Sequence, residues 1–542
     1  MKKKKKSEAR AGIRVEAPAE ARPIFQPWWI AAAGILLASI VRLRLLGFPL
    51  ERDEGEYAYA GRLILQGIPP YKLAYNMKLP GVYGAYALLM GVFGQSPEGI
   101  HLGLLLVNVG AIVLVYFLGK RLFGAPAGAV AAASYALLSI GEGVLGLAAH
   151  ATHFVVLAAL GGTLLLLKAL DSGRSSVVFW SGLLYGLAFI MKQQGVFFGV
   201  FGASYLLWSL WRKNPAAWMG NLKKFAIFMA GAALPFGLTC LILWRVGVFD
   251  KFWFWTFTYA RQYASEVPFA DWGRNLSEDA PAAVEQNLVI WLLAGAGLFW
   301  AFWKKQTRPS AIFVAGLLAA SLAAFSVGGF FRSHYLIPML AVVALLAGAL
   351  VGSPRTILRS VAFWLFVAAF GYSVYQQRAA FFTLTPVELC QETYTINPFS
   401  QAAEIAAYIR DHTKKTDRIA VLGSEPEIYF LADRHSATGY IYTYPAVEPQ
   451  PYAATMQKEM IGDIESARPP YVVLVGVNTS WVAKKEAPTL LLDWMFKYLD
   501  RYYDTVGVAD ILSPQQTVYV WDAAAAAYQP RSRFFVKVFR RR

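Results

Sequence analysis

Residues 98–121, EGIHLGLLLVNVGAIVLVYFLGKR, decide the fold class. The stretch is apolar over a length that crosses about 30 Å of hydrocarbon, and it closes on two basic residues. Similar runs recur along the chain, at 27–46, 98–119, 125–146, 148–168, 176–191, 194–211, 224–246, 287–303, 311–328, 334–353 and 358–376. We therefore expect an α-helical polytopic membrane protein with about eleven spans.

The composition supports this fold class. Of 542 residues, 57% are hydrophobic and only 16% are charged, whereas a soluble chain carries about 25% charged residues. Two cysteines exclude a disulfide-rich secreted protein. An outer-membrane barrel is excluded because the apolar residues come in long runs rather than in alternation.

The placement of the basic residues predicts the orientation. The net charge is +17, but lysine and arginine cluster in short loops between apolar runs. This placement is typical of the cytoplasmic loops of a membrane protein and argues against a nucleic-acid partner. With the basic segment 1–26 in the cytoplasm, the loops on the inside are basic and those on the outside are poor in basic residues. The same alternation places everything after residue 376 outside.

The chain divides into a transmembrane module at 27–376 and a tail at 377–542. The tail contains runs typical of strands, RIAVLG (418–423), YVVLVGV (471–477) and TVYVW (517–521), beside helical patterns at 400–412 and 489–503. This alternation predicts a C-terminal extracytoplasmic α/β domain.

The first outer loop, residues 47–97, is too long and polar for a tight turn. Within it, EYAYAGRLILQG (56–67) and PGVYGAYALLMGVFG (80–94) predict two helices lying at the outer interface. Long loops with their own helices are usually functional.

The stretch RDEGEYAY (52–59) is the strongest candidate for chemistry, because Asp53 and Glu54 follow the first span directly. The alternative is purely structural: Asp53 and Glu56 fit an N-cap and the N3 carboxylate that start a helix. The two interpretations are compatible, since a cap can fix a catalytic carboxylate.

Cations and a histidine are predicted at the same face. Lys78 opens the second outer helix, Lys192 interrupts a hairpin, and Arg332, His334 and Tyr335 open a late span. Lysine and arginine at these positions are suited to a phosphate group. The alternative for the lysines is that they extend to the membrane surface without a ligand.

Glu142, His150 and His153 flank the outer ends of two spans. The histidines are spaced to face one metal ion, but the sequence specifies no third ligand, and pocket lining is the favoured interpretation. With the segment 1–26 in the cytoplasm, all of these polar groups are expected at the outer face. That arrangement suggests a lipid phosphate beside a general base.

These motifs resemble those of the C-type glycosyltransferase superfamily. The motifs are the Asp-Glu pair, the Lys-x-Pro-Gly sequence at 78–81, the Lys-Gln-Gln-Gly hairpin at 192–195, and the His-Tyr pair followed by a proline. The chain is most similar to the bacterial branch related to protein O-mannosyltransferases and to the aminoarabinose and galacturonic acid transferases of lipid A. Residues 418–443 resemble the C-terminal domain of that branch.

The resemblance implies an inverting transferase in the bacterial plasma membrane that uses a polyprenyl-monophosphate sugar. Asp53 matches the catalytic carboxylate and Glu54 its neighbour, while Lys78, Arg332 and His334 match positions near the donor phosphate. The acceptor, a hydroxyl of a lipid, a glycan or a protein, stays open. The chain has His150 and His153 where relatives often carry an acidic residue or asparagine, so any acceptor-binding or metal role there stays open as well.

Two other classes of function are alternatives. A transporter or flippase of an amphiphilic, lipid-linked substrate would explain the many spans, although its site is expected near the midplane. A receptor would use the outer domain and would not need Asp53. No cofactor is required by the transferase hypothesis, and a divalent cation, Mg or Mn, on Asp53 and Glu54 is left open.

Overall fold

The computed structural model describes residues 27–353 and 356–542. The basic segment 1–26, predicted to be cytoplasmic, lies outside the described residues. The first part of the chain is helical, with α1 (Trp28–Arg44), α2 (Arg52–Leu65), α3 (Pro80–Phe93), α4 (Pro97–Phe123), α5 (Ala125–Leu138), α6 (Ala151–Ser172), α7 (Ser175–Met191), α8 (Val196–Lys213), α9 (Trp218–Arg245), α10 (Phe249–Trp253), α11 (Ala260–Ala264), α12 (Trp272–Glu285), α13 (Leu288–Trp303), α14 (Arg308–Ser326), α15 (Ile337–Ala349) and α16 (Thr356–Gln376).

Each predicted apolar run overlaps one of these helices. Within the described ranges, six helical segments are long and apolar enough to cross a membrane, and they contain α4, α6, α9, α14, α15 and α16. A seventh span results if α12 with its leading turn and α13, which meet at 98°, count as one broken span. The chain is therefore a multi-pass helical membrane protein, and the count of eleven stays a prediction.

Helix α15 forms the centre of the bundle, and every one of its residues is buried. Small residues let its neighbours approach closely. A Cβ on Gly297 would lie 1.9 Å from the carbonyl oxygen of Leu346, and one on Gly348 would lie 2.3 Å from that of Ala127. Close backbone contact of this kind supplies dispersion energy where the hydrophobic effect does not act between helices.

The long loop at 47–97 contains α2 and α3 as predicted, but α2 starts earlier and is buried. The N-cap is Glu51, whose side chain accepts from the amide of Glu54, so the prediction of Asp53 as N-cap is wrong. The prediction that α2 lies at the interface is also wrong, because residues 54–63 are all buried. The C-terminal domain covers this helix, and a Cβ on Gly55 would lie 2.5 Å from the amide nitrogen of Glu427.

The tail forms a sheet covered by helices, as predicted. Its elements are α17 (Pro386–Tyr394), α18 (Ala402–Asp411), β1 (Arg418–Leu422), α19 (Glu427–Ala432), β2 (His435–Ser436), α20 (Ala453–Ala467), β3 (Tyr471–Gly476), α21 (Asn478–Trp481), α22 (Leu490–Tyr502), β4 (Tyr503–Ser513), β5 (Gln516–Trp521), α23 (Ala523–Ala527) and β6 (Phe535–Arg541). The strand order is β2-β1-β3-β6-β4-β5. Strand β1 runs parallel to β2 and β3, whereas β6 is antiparallel to β3 and β4.

Hydrogen bonds fix this domain on the loop at 47–97. Arg52 pairs with Glu425 at 2.9 Å and donates from Nε to the carbonyl of Ser424 at 2.6 Å. The amide of Ser436 donates to the hydroxyl of Tyr59 at 2.8 Å. The domain therefore holds the start of α2 in place, and that start carries Asp53.

Candidate active site

Asp53 lies in the first turn of α2, and its side chain is 20% exposed. The capping box of Glu51 and Glu54 fixes the turn on either side of it. Successive helical side chains point about 100° apart, so Asp53 and Glu54 face different surroundings. Of this pair, only Asp53 lies beside Lys78, His150 and His334, and the space between these side chains is called the cleft below.

Lys78 is the main partner of Asp53. Its ammonium lies 3.2 Å from both carboxylate oxygens, and its side chain is 17% exposed. Burial raises the pKa of the Asp53 carboxyl, but the charge of Lys78 and its hydrogen bond outweigh burial and hold that pKa well below its usual range. Asp53 is therefore ionised at neutral pH.

Two stacked histidines close one side of the cleft. The rings of His150 and His334 are parallel within 11°, with centroids 4.2 Å apart. Nε2 of His334 lies 3.9 Å from Oδ2 of Asp53. Ligand atoms of Asp53, His150 and His334 all lie within 4.8 Å of one another. This group offers one oxygen and two imidazole nitrogens to a metal ion.

The Lys-Gln-Gln-Gly hairpin reaches the same cleft. Nζ of Lys192 lies 3.9 Å from the ring centroid of Tyr335, and Gln193 donates to the carbonyl of Met77 at 2.6 Å. A Cβ on Gly81 would lie 2.4 Å from the carbonyl oxygen of Ile190. The two sequence motifs therefore pack directly on one another, and glycine at 81 permits the contact.

Arg332 lies at the exposed rim of the cleft. Its guanidinium donates to the hydroxyl of Tyr263 at 3.2 Å, and Asp53 and Tyr335 are among its electrostatic partners. The structure thus brings together seven residues that span 282 positions of the sequence: Asp53, Lys78, His150, Lys192, Arg332, His334 and Tyr335.

Three other predicted residues point elsewhere. Glu54 is fully buried: its side chain accepts from the amides of Ala149 at 2.6 Å and of Glu51 at 3.4 Å, and it lies 3.0 Å from Nε2 of His101. Glu142 is hydrogen-bonded to Gln286 and lies near the like charge of Glu392. His153 is buried in the first turn of α6 and is absent from the group around Asp53. These side chains do not line the cleft with Asp53.

Comparison with known proteins agrees with the motifs. Residues 80–234 match the family described as dolichyl-phosphate-mannose-protein mannosyltransferase. The undecaprenyl phosphate-α-4-amino-4-deoxy-L-arabinose arabinosyl transferases of Pseudomonas paraeruginosa and Pseudomonas aeruginosa are 26% identical over 324 residues, which is 55% of this chain and 54% of each relative. The chain thus spans about half the length of the curated relatives that it matches.

Solved structures share the fold over most of the chain. ArnT from Cupriavidus metallidurans bound to undecaprenyl phosphate superposes with a TM-score of 0.58 and 14% identity, over 92% of this chain and 99% of that one. The apo oligosaccharyltransferase of Archaeoglobus fulgidus superposes with a TM-score of 0.50 and 13% identity, over 92% of this chain and 75% of that one. The resemblance to the C-type glycosyltransferases is confirmed. At these identities the structural likeness concerns the fold alone.

Sequence reasoning missed two residues that lie beside Asp53. The hydroxyl of Tyr442, from the C-terminal domain, donates to the carbonyl of Arg52 at 2.9 Å and lies 3.4 Å from Oδ1 of Asp53. The aromatic run around it, GYIYTY (439–444), was the only available signal. The C-terminal domain therefore forms one wall of the cleft, in addition to holding the start of α2 in place.

Glu56 is the second missed residue. It is fully buried one turn from Asp53, accepts from Nδ2 of Asn76 at 2.7 Å, and is hydrogen-bonded to the hydroxyl of Tyr83. Burial raises its pKa to about 8, with Lys78 opposing and Asp53 adding to the shift. Glu56 therefore carries a proton at neutral pH and leaves Asp53 as the charged partner of Lys78.

Proposed function

We propose that the protein is an inverting glycosyltransferase that moves a sugar from a polyprenyl-monophosphate donor to an acceptor hydroxyl at the outer face of the plasma membrane. The observation that carries this proposal is the ionised Asp53 held against Lys78, with Lys192 and Arg332 beside them. The names of the arabinosyl transferase relatives support a lipid-phosphate donor.

Asp53 would accept the proton of the acceptor hydroxyl as its oxygen attacks the anomeric carbon. The bond from that carbon to the phosphate oxygen breaks, and the polyprenyl phosphate leaves with the electron pair. Attack opposite the phosphate inverts the configuration in one step. A second catalytic carboxylate is therefore not required, which agrees with the position of Glu54 away from the cleft.

Lys78 would link donor binding to the basicity of Asp53. In the structure its charge lowers the pKa of Asp53 and so weakens Asp53 as a base. A donor phosphate that draws the ammonium toward itself would relieve this effect. Burial and the nearby Lys78 also lower the pKa of Lys192, and an anionic phosphate favours the charged form of that amine. Donor and cations thus stabilise one another in the cleft.

A divalent metal ion fits the group of Asp53, His150 and His334 better than the pair of Asp53 and Glu54. Both ring nitrogens of His150 lack a hydrogen-bond partner among the described residues, whereas Glu54 is already engaged. Two imidazoles and a carboxylate suit Zn²⁺ or a similar transition metal, while Mg²⁺ prefers oxygen ligands. Such an ion would supply positive charge to the donor phosphate.

The test is turnover by the purified protein of a panel of polyprenyl-phosphate sugars, including aminoarabinose, mannose and galacturonic acid. Release or transfer of one sugar, with inversion by NMR, would support the transferase. Facilitated movement of the intact donor across a vesicle without turnover would favour the transporter. Binding without turnover or movement would favour the receptor.

A further inference from the structure

A cavity lies at the far ends of two helices, α6 and α8, whose first residues are close to the group around Asp53. Helix α6 begins beside His150 and α8 begins after the Lys192 hairpin, so both start at the cleft. The cavity is lined by the far ends of these helices and by the facing ends of α7 and α9. Its volume is about 420 Å³, within the range of sites for small molecules.

The cavity has an apolar wall and a cationic rim. Leu170, Val178, Leu206 and Leu210 form much of the wall. Lys213 and Lys224 are the charged residues that line it. An amphiphile with an apolar chain and an anionic head matches this distribution.

The turn that carries Lys213 is held in place by a buried amide. The side chain of Asn221 is 6% exposed, and its Nδ2 donates to the carbonyls of Asn214 at 3.0 Å and Leu210 at 3.4 Å. These bonds tie the end of α8 to the start of α9. The rim therefore belongs to an ordered turn rather than to a free loop.

Charge around the cavity is strongly positive. Along its four helix ends the chain carries six basic residues, Lys168, Arg174, Arg212, Lys213, Lys223 and Lys224. The acidic residue among them, Asp171, is paired with Arg121. The field at the rim therefore attracts an anion.

Tryptophans mark the level of the membrane at this end. Trp208, Trp211 and Trp218 are exposed by 43%, 40% and 57%. Exposed tryptophan concentrates at the height of the lipid headgroups. The rim of the cavity thus lies where a phospholipid phosphate would be.

We propose that this cavity binds an anionic phospholipid of the surrounding bilayer. Its phosphate would lie between Lys213 and Lys224, and an acyl chain would lie against the leucines. A headgroup with net negative charge is favoured over a zwitterionic one, because basic pockets between helices select acidic headgroups. The site is separate from the donor cleft, so its occupancy does not depend on the proposed function.

The test uses the full-length protein in detergent, with phosphatidylglycerol or phosphatidylcholine titrated in and bound lipid counted by native mass spectrometry. The variant is Lys213→Gln with Lys224→Gln. The matched control is Lys304→Gln with Lys305→Gln, two lysines in a loop that does not line the cavity. A second variant, Leu206→Trp, fills the cavity and leaves the charges unchanged.

We expect retention of phosphatidylglycerol over phosphatidylcholine, a loss of about tenfold in affinity for phosphatidylglycerol in the double variant, and loss of binding in Leu206→Trp. The control should bind as the unmodified protein does. Equal loss in the control pair would overturn the proposal in favour of diffuse surface charge. Full competition by inorganic phosphate, or binding unaffected by Leu206→Trp, would overturn it as well. Size-exclusion profiles establish that each variant is folded.

Discussion

The ammonium of Lys78 is equidistant, at 3.2 Å, from the two carboxylate oxygens of Asp53. The two residues belong to different segments of the loop at 47–97, and the C-terminal domain and the hairpin at 192–195 pack around them. An anion can separate this symmetric ion pair, because a phosphate competes with the carboxylate for the ammonium of Lys78.

Replacing Lys78 by methionine should lower sugar transfer by about 100-fold or more, since it removes a cation beside the departing phosphate. Affinity for the lipid phosphate should fall in parallel. The measurement is kcat and KM of transfer with a fluorescent polyprenyl-phosphate sugar. Lys72→Met, which removes an exposed lysine of the same loop, is the control and should be unaffected. Equal effects of both variants would contradict a specific role for Lys78.

The raised pKa of Glu56 predicts how the free energy of unfolding changes with pH. Its pKa is raised from 4.5 to about 8 in the folded protein, so the unfolded chain releases this proton first. Folding stability from this group is therefore present below about pH 4.5 and is lost as pH rises toward 8. Glu56→Gln, which stays neutral, should gain at least about 2 °C in Tm relative to the unmodified protein between pH 6 and pH 8.5.

The control for this measurement is Glu98→Gln, because Glu98 is exposed. Its Tm should follow the pH dependence of the unmodified protein. A Glu56→Gln variant with that same pH dependence would show that Glu56 is ionised when buried, and Asp53 would then share the role of charged partner of Lys78 with Glu56.

The metal hypothesis predicts about one transition metal ion per chain, retained through purification and measured by inductively coupled plasma mass spectrometry. His150→Ala should lose the ion, because it removes one of the three ligands. His412→Ala, an exposed histidine of the C-terminal domain, should retain it. Unmodified protein that binds no Zn²⁺, Mn²⁺ or Mg²⁺ in titration calorimetry would contradict the hypothesis.

The predicted orientation can be tested with an impermeant maleimide in a chain without its two cysteines, Cys240 and Cys390. Lys414→Cys, on the exposed surface of the C-terminal domain, should be labelled in intact cells. Lys305→Cys, in a basic loop of the bundle, should be labelled only after permeabilisation. The reverse pattern would invert the topology and place Asp53 at the wrong face for an outer transferase.

Much of the fold is readable from local patterns. Apolar runs identify each long helix because every turn must satisfy its own backbone in lipid, and strands β1, β3 and β5 carry their own β-branched residues. Strand β6, FVKVFRR, was missed because its alternating pattern is short and ends in arginines, although it lies in the middle of the sheet.

The site was predicted less completely, for a physical reason. Asp53, Lys78 and His334 carry charge or imidazole at positions where charge is costly, and this marks them in the sequence. Tyr442 and Glu56 became part of the site only through tertiary packing, which sequence spacing does not encode. Glu54 is predicted to be catalytic because it follows Asp53 in the sequence. In the helix its side chain points instead toward Ala149 and His101.

The most direct test of the account is sugar transfer by Asp53→Asn, compared with the unmodified protein and with Asp411→Asn, an exposed aspartate of the C-terminal domain. The asparagine keeps the size of the side chain and removes the base, so transfer should fall by about 100- to 10,000-fold while the variant stays folded and binds donor. Asp411→Asn should be fully active. Near-normal transfer by Asp53→Asn would contradict the assignment of Asp53 as the base.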